Sequence, residues 1–185
     1  MFYISTRSND SQKSNTFEGA LMAGMAPDGG LFVPREWPSL EMNRFPKLKG
    51  HHYAHIAAYV LNKFSDESIP EEDLATIIHK TYGLNTFDHS DIAPLVQVAD
   101  NFWIMELFHG PTFAFKDYAL QLLGHLFDYV LQKKNQKLTI IGATSGDTGS
   151  AAIEACRDSP HIKIFILHPK GRTSDVQRKQ MTTVN

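Results

Sequence analysis

The sequence has a single cysteine, Cys156, in 185 residues. That excludes an intramolecular disulfide framework and any multi-cysteine zinc site, and it suits a reducing compartment. An excess of charge is lacking too: 18 Lys and Arg stand against 20 Asp and Glu, a formal net charge of −2. With both signs mixed along the chain, no basic stripe offers itself to nucleic acid or to an anionic membrane, and a small ligand is the expected partner. No run approaches the roughly 18 consecutive apolar residues of a membrane span. The first ten residues, Met1 to Asp10, are polar where a signal peptide carries its apolar core, so a cytoplasmic location is expected. Internal repeats at solenoid periods and low-complexity blocks are also missing, which leaves ordinary packed elements. What is present is enough chain to bury a core without metals or crosslinks.

The composition shifts near residue 90. Before it, the spacing predicts a short helix from Phe17 to Gly24 with Thr16 as cap, then the Asp28-Gly29-Gly30 turn and the apolar exit Leu31-Phe32-Val33 before Pro34. Ile56, Tyr59, Val60 and Phe64 mark a helix over Tyr53 to Phe64, and Leu74, Ile77, Ile78 and Tyr82 mark another. Ser68 and Glu71, with Pro70 in the first turn, signal the start of that second helix. After residue 90 the pattern becomes strand-like, with Pro94 to Val98 and Phe102 to Leu107 joined by the turn Asp100-Asn101. A helix over Asp117 to Gln132 follows, its stripe being Leu120, Leu123, Gly124, Phe127 and Val130. Then come strand Leu138 to Gly142, helix Thr148 to Arg157, strand Ile162 to Leu167, and a short helix capped by Ser174 or Asp175. This order predicts an α/β chain: a helical amino-terminal domain over 1–90, then the first part of a parallel-sheet domain over 91–185. Met181 to Asn185 reads as the start of a further strand, so the chain is expected to break off inside a domain, with self-association through the unfinished sheet edge.

Two segments carry chemistry. Gly142-Ala-Thr-Ser-Gly-Asp-Thr-Gly-Ser150 joins a strand end to a helix start, the place where open α/β sheets bind ligands. Its small residues let the backbone approach an anion, and the free amides of the next helix point at it. Thr144, Ser145 and Thr148 add three hydroxyls. A P-loop is excluded, because Asp147 stands where its second glycine belongs, and no dinucleotide fingerprint occurs. An ordinary Gly-rich turn remains the plain alternative.

The second segment, Glu106-Leu-Phe-His-Gly-Pro-Thr-Phe-Ala-Phe-Lys-Asp117, delivers Lys116 to a helix start between aromatic residues. The positive helix end and the dry aromatic walls both disfavour an ammonium and so lower the amine's pKa. A neutral amine is the nucleophile that Schiff-base formation needs. The plain alternative is a lysine whose stem lies on apolar surface with its charge in water.

These two strings, with Pro27-Asp-Gly-Gly-Leu-Phe-Val-Pro34 upstream and Gln177-Arg-Lys-Gln-Met-Thr-Thr183 downstream, resemble the longer form of threonine synthase over nearly the whole chain and in family order. The resemblance implies an enzyme of pyridoxal-phosphate fold type II, with a tryptophan synthase β-like catalytic domain. Lys116 is then the catalytic residue and the cofactor's covalent anchor. Ser145, Gly146, Asp147 and Thr148 are implied in binding pyridoxal 5′-phosphate, and Thr144, Ser145, Thr148 and Gly149 in binding the substrate carboxylate. Many relatives of this fold type have Asn where Asp147 stands; a carboxylate beside the cofactor's ring oxygen donates no hydrogen bond unless protonated, so the role of Asp147 stays open.

The implied reaction converts O-phosphohomoserine and water to threonine and phosphate in threonine biosynthesis. The cofactor is the electron sink and Lys116 the proton shuttle. Lys170, Arg172 and Arg178 are available to the leaving phosphate, or form a solvated charged stretch. The family carries its second glycine-rich loop, which holds the cofactor's phosphate, beyond the position of residue 185, so the chain alone is expected to bind cofactor weakly and to be inactive. A dehydratase or cysteine-synthase-like relative, and a non-catalytic phosphometabolite-binding module, remain alternatives.

Other residues read as structural. His51 and His55 stand four apart without a zincin glutamate, so no metal site is expected. His109 is either a turn residue or a neighbour of the site. Cys156 reads as a small packed residue, and the aromatics Phe102, Trp103, Phe108, Phe113 and Phe115 as core, with Phe113 or Phe115 able to line a ring.

Overall fold

The computed structural model describes residues 1–8, 14–65 and 68–184. They form two compact units, Met1–His79 and Lys80–Asn185.

In the first unit, strands β1 (Tyr3–Ser5) and β2 (Phe32–Pro34) pair antiparallel, with Ile4 opposite Val33. The turn feeding β2 is built by Asp28, whose carboxylate accepts from the Ser5 hydroxyl at 2.6 Å and the Gly30 amide at 2.9 Å. The Ser5 bond, then the Gly30 bond, hold the Asp28 carboxyl below the usual range. Gly29 takes φ +77°, a conformation that costs glycine nothing. Helix α1 (Phe17–Ala23) is capped as its sequence predicts, the Thr16 hydroxyl accepting from the Gly19 amide at 3.1 Å. A 3-10 turn at Met42–Arg44 leads into α2 (Phe45–Leu48), which no periodicity had marked. Helix α3 (Tyr53–Ser65) is fixed by the Tyr3 hydroxyl donating to the Phe64 carbonyl at 2.8 Å. Helix α4 (Glu71–Thr81) buries Leu74, Ile77 and Ile78 and places Glu71, Glu72 and Asp73 at its positive end. Pro70 stands just before this helix, not within its first turn, and its carbonyl takes the first helical bond from the Leu74 amide at 2.9 Å.

The second unit opens with a hairpin, β3 (Leu95–Ala99) against β4 (Phe102–Met105), with Leu95 opposite Met105 and a bulge between Gln97 and Ala99. Asn101 supplies the left-handed turn position at φ +56°, as the Asp100-Asn101 pair predicts. Helix α5 (Lys116–Lys134) closes on Asn135, again left-handed at φ 50°. Strand β5 (Leu138–Ala143), helix α6 (Asp147–Cys156) and strand β6 (Ile162–Leu167) form a parallel crossover, paired from Leu138 with Ile162 to Ala143 with Leu167. Helix α7 (Asp175–Thr182) follows, with the Ser174 hydroxyl as its cap.

Two expectations are corrected here. The buried face of α5 is Tyr118, Gln121, Leu122, Gly124, Leu126, Val130 and Leu131, while Leu120, Leu123 and Phe127 are only half-buried. The helix is turned by its contact with α6, where the Ala155 carbonyl lies so near Gly124 that a Cβ there would collide with it. Gly124 and Val130 of the expected stripe are buried as predicted, and Gly124 makes the tightest contact. Met181 and Thr182 belong to α7 and do not begin a strand, because Met181 is buried against Gly149 at the start of α6. Asn185, the end of that run, lies outside the described residues.

Gly124→Ala is expected to lower stability by about 1–3 kcal/mol through overpacking against α6. Urea unfolding followed by circular dichroism checks this; an unchanged midpoint contradicts the close helix contact.

Candidate active site

The segment leaving β4 is tied down before it reaches Lys116. The Glu106 amide donates to the Pro94 carbonyl at 2.9 Å, and the Tyr118 hydroxyl donates to the Ile92 carbonyl at 2.6 Å. The His109 ring lies between two carboxylates, Nε2 at 2.8 Å from Glu106 Oε2 and Nδ1 at 2.8 Å from Asp88 Oδ1. Both nitrogens donate only in the imidazolium. The bond to Glu106 raises the His109 pKa most, with Asp88 adding to it against the opposing effect of burial.

At Gly110 the chain turns so closely over Asp117 that a Cβ would clash with its side chain. Asp117 is fully buried, and its carboxylate accepts from the Thr112 amide at 2.8 Å and the Thr112 hydroxyl at 2.7 Å. Between them Phe113 sits at φ +61°, an unfavourable conformation for a residue with a Cβ. The Asp117 bonds bracket that residue and hold the loop in shape. Lys116 is the first residue of α5, and its amine lies 4.4 Å from the centre of the Phe115 ring. On the other side, Nζ is 3.9 Å from Asp147 Oδ2. Phe115 is thus one wall, as expected, but the second wall is a carboxylate and the lysine side chain is 29% exposed. The niche is less dry than the run of aromatic residues suggests. Phe113 and Phe115 are themselves 68% and 61% exposed, not core.

The Gly142 to Ser150 loop lies at the carboxyl end of β5, where it enters α6. The Thr144 hydroxyl accepts from the amides of Gly146 at 3.2 Å and Gly149 at 3.3 Å, so it staples the loop internally and keeps its proton to donate outward. Gly146 and Gly149 are buried at positions where a Cβ would strike Gln177 and the Thr144 methyl respectively. Ser145, Asp147 and Thr148 are exposed. The cap residue of α6, Gly146, has no side chain to offer; Thr144 takes the Gly149 amide, and the amides of Asp147 and Thr148 are left with no intrahelical acceptor. The structure therefore brings Lys116 and Asp147 together and sets the hydroxyls of Ser145 and Thr148 on the same short loop.

The basic residues fare differently. Lys170 and Arg172 are exposed between β6 and α7, and Arg178 faces Asp175 within α7 at 3.7 Å. His51 precedes α3 and stacks on His55 with ring centres 4.4 Å apart; among the described residues no group of three or more metal-ligating side chains occurs. Cys156 is buried, and burial pushes its thiol pKa up. Two residues inside the quoted strings had no individual reading from sequence: Asp117, which shapes the lysine loop, and Gln177, whose side-chain amide donates to Asp147 Oδ1. Ser174-Asp-Val-Gln177 fits the capping-box pattern, a signal that could have marked Gln177 as a helix-start residue though not as a neighbour of Asp147.

Because the His109 pKa is raised in the folded state, its two ion-paired bonds stabilise fully below about pH 6.5 and their contribution is lost as pH rises through the higher folded value. Urea midpoints followed above about pH 6.5 should show a loss of stability that is absent in His109→Gln. Parallel curves for the two proteins would contradict the bridged imidazolium.

The chain resembles known proteins along nearly its whole length. Residues 2–82 match the family described as threonine synthase N terminus. The threonine synthase of Pseudomonas aeruginosa is 50% identical over 184 residues, covering 100% of this chain and 38% of the relative. That of Saccharomyces cerevisiae is 43% identical, covering 98% and 38%. Among solved structures, the pyridoxal-phosphate-bound threonine synthase of Brucella melitensis superimposes with a TM-score of 0.92 at 46% identity, over 98% of this chain and 38% of that one. The chain thus spans well under half the length of the relatives it matches, and their identity sets aside the dehydratase and cysteine-synthase readings. By its amino-terminal domain, its loop sequences and its α/β fold of type II, the chain belongs to the threonine synthase family.

Proposed function

We propose that this protein acts as a threonine synthase dependent on pyridoxal phosphate, converting O-phosphohomoserine and water to threonine and phosphate. The observation that carries the reading is the meeting of Lys116 Nζ with Asp147 Oδ2 at 3.9 Å, which joins the two family strings in one place. The family's cofactor needs a reachable primary amine and a cradle for an anionic group. A partly exposed lysine beside an aromatic face, and a helix start behind a glycine-rich loop whose first two amides have no intrahelical acceptor, fit those needs. When bound, pyridoxal phosphate supplies an electron sink for the carbanions formed as protons leave the substrate.

Within that chemistry Lys116 holds the cofactor through Nζ and moves protons at that atom. Ser145, Gly146, Asp147 and Thr148 bind the cofactor, the glycine by close backbone approach. Thr144, Ser145, Thr148 and Gly149 receive the substrate carboxylate, with the first-turn amides of α6 as donors. The Thr144 staple keeps that loop pre-shaped before the ligand arrives. Lys170 and Arg172 are the basic side chains available to the departing phosphate, since Arg178 already has Asp175. The working domain division is 1–90 for the amino-terminal domain and 91–185 for the first part of the catalytic domain. The lone, buried thiol favours the cytoplasm as compartment. The two outer edges of the β5–β6 pair, unpaired among the described residues, favour self-association.

The test is to add pyridoxal phosphate, reduce with borohydride, and map the modified lysine by mass spectrometry. Lys116 is expected to carry the label, and Lys116→Ala to lose it. Label on a different lysine, with Lys116 unmodified, would overturn the assignment.

A further inference from the structure

Helix α7 contributes a side chain that the proposed function leaves without a role. Its successive turns lie against both chemical segments: the Gln177 side-chain amide, in the first turn, donates to Asp147 in the glycine-rich loop, and the Gln180 side-chain amide, in the second, donates to the Thr112 carbonyl at 3.2 Å in the lysine loop. We propose that Gln177 is a positioning residue, holding the Asp147 carboxylate so that its free oxygen faces the Lys116 amine. This rests on the reading of Lys116 and the glycine-rich loop as one site.

The geometry divides the carboxylate between two partners. Oδ1 takes the Gln177 amide, and Oδ2 is left toward Nζ at 3.9 Å. The sense of the Gln177 amide is itself fixed, because a carboxylate can only accept and the opposite end of the amide is met by a hydroxyl. That hydroxyl is Ser174 Oγ, donating to Gln177 Oε1 at 3.0 Å. Ser174 is anchored in turn as the cap of α7, accepting from the Gln177 backbone amide at 3.3 Å. Turning the amide over would set its carbonyl against a carboxylate, an unfavourable pairing. In an ordinary capping box the Gln side chain reaches back to the backbone of its own cap; here it reaches across to another helix.

Space for this arrangement comes from Gly146, since a Cβ there would occupy the position of the Gln177 amide. The anchoring matters because the pair it organises is open to solvent: Asp147 is 50% exposed and Lys116 29%. Exposed pairs at such distances are little stabilised by their own attraction, so without a second tether the Asp147 side chain would sample several rotamers. The other carboxylate close by in sequence, Asp117, is fully buried and engaged by Thr112, which leaves Asp147 as the one held toward the amine. For a residue that must both bear a cofactor and pass protons, a carboxylate fixed within reach sets where the amine points.

A zero-length carbodiimide reaction on the full chain without cofactor tests this, with the amide formed between Lys116 and Asp147 quantified by mass spectrometry. Lys63 and Glu41, also 3.9 Å apart, provide an internal reference in the same digest. Gln177→Met is expected to lower the Lys116–Asp147 yield at least about threefold relative to that reference. Gln177→Asn, whose amide is one methylene too short, should behave alike and serves if the methionine variant does not fold. Ser174→Ala should give a smaller loss. An unchanged ratio in a folded Gln177 variant overturns the proposal, as does equal loss of both products, which would mark Gln177 as a merely structural residue. Because no cofactor is present, this readout stands apart from the borohydride test. Lys116 can be the anchor with Gln177 idle, and the Gln177 tether can hold with the cofactor anchored elsewhere.

Discussion

The approach of Lys116 to Asp147 depends on helices α5 and α6 lying tightly together, since each residue begins one of them. Gly124 admits the Ala155 backbone at a distance no larger residue allows, and that contact sets the rotation of α5. The Asp117 carboxylate then fixes how the chain enters α5, bonding Thr112 across a turn in which Phe113 holds a positive φ. A helix contact and a buried carboxylate therefore determine where the amine stands before any ligand is considered. Upstream, the imidazole of His109 joins Asp88 to Glu106 and steadies the same segment from its other end.

Much of this was legible in the sequence where the signal is local. The Thr16 and Ser174 caps, the Asp100-Asn101 turn, and the succession of β5, α6 and β6 are each written in a few neighbouring residues. The two strings were legible as candidate chemistry for the same reason. Their meeting was not, because nothing in spacing reports which helix packs on which. The α5 stripe was right at Gly124 and Val130 and astray at Leu120, Leu123 and Phe127, since hydrophobicity does not report the rotation that the close contact of Gly124 with a neighbouring backbone imposes. Met181 and Thr182 looked like strand because adjacent β-branched residues favour that state, and burial of Met181 on α6 overrode the preference. Gln177 was missed: its local pattern offers at most a capping box, and its side chain is engaged by a partner distant in sequence.

The apolar surface has a pattern of its own. Every residue of β3 and β4 is exposed, Leu95, Phe102 and Trp103 by more than half, and Ile141, Phe165 and Leu167 stand equally open on β5 and β6. Contiguous apolar faces of this kind mark contact surfaces. They occur in a chain that spans 38% of the length of its Pseudomonas aeruginosa relative. The site's internal ties, at Asp117, Thr144 and Gln177, all lie within the second unit.

The convergence of the two strings is tested most directly by chemical bridging. In Asp147→Cys, a short reagent that links a thiol to an amine, such as succinimidyl iodoacetate, is attached through position 147 and the acylated lysine is identified by mass spectrometry. The account predicts Lys116 as the acceptor, ahead of more exposed lysines such as Lys170. Bridging to other lysines with Lys116 untouched would show that the amine and the loop do not share a site.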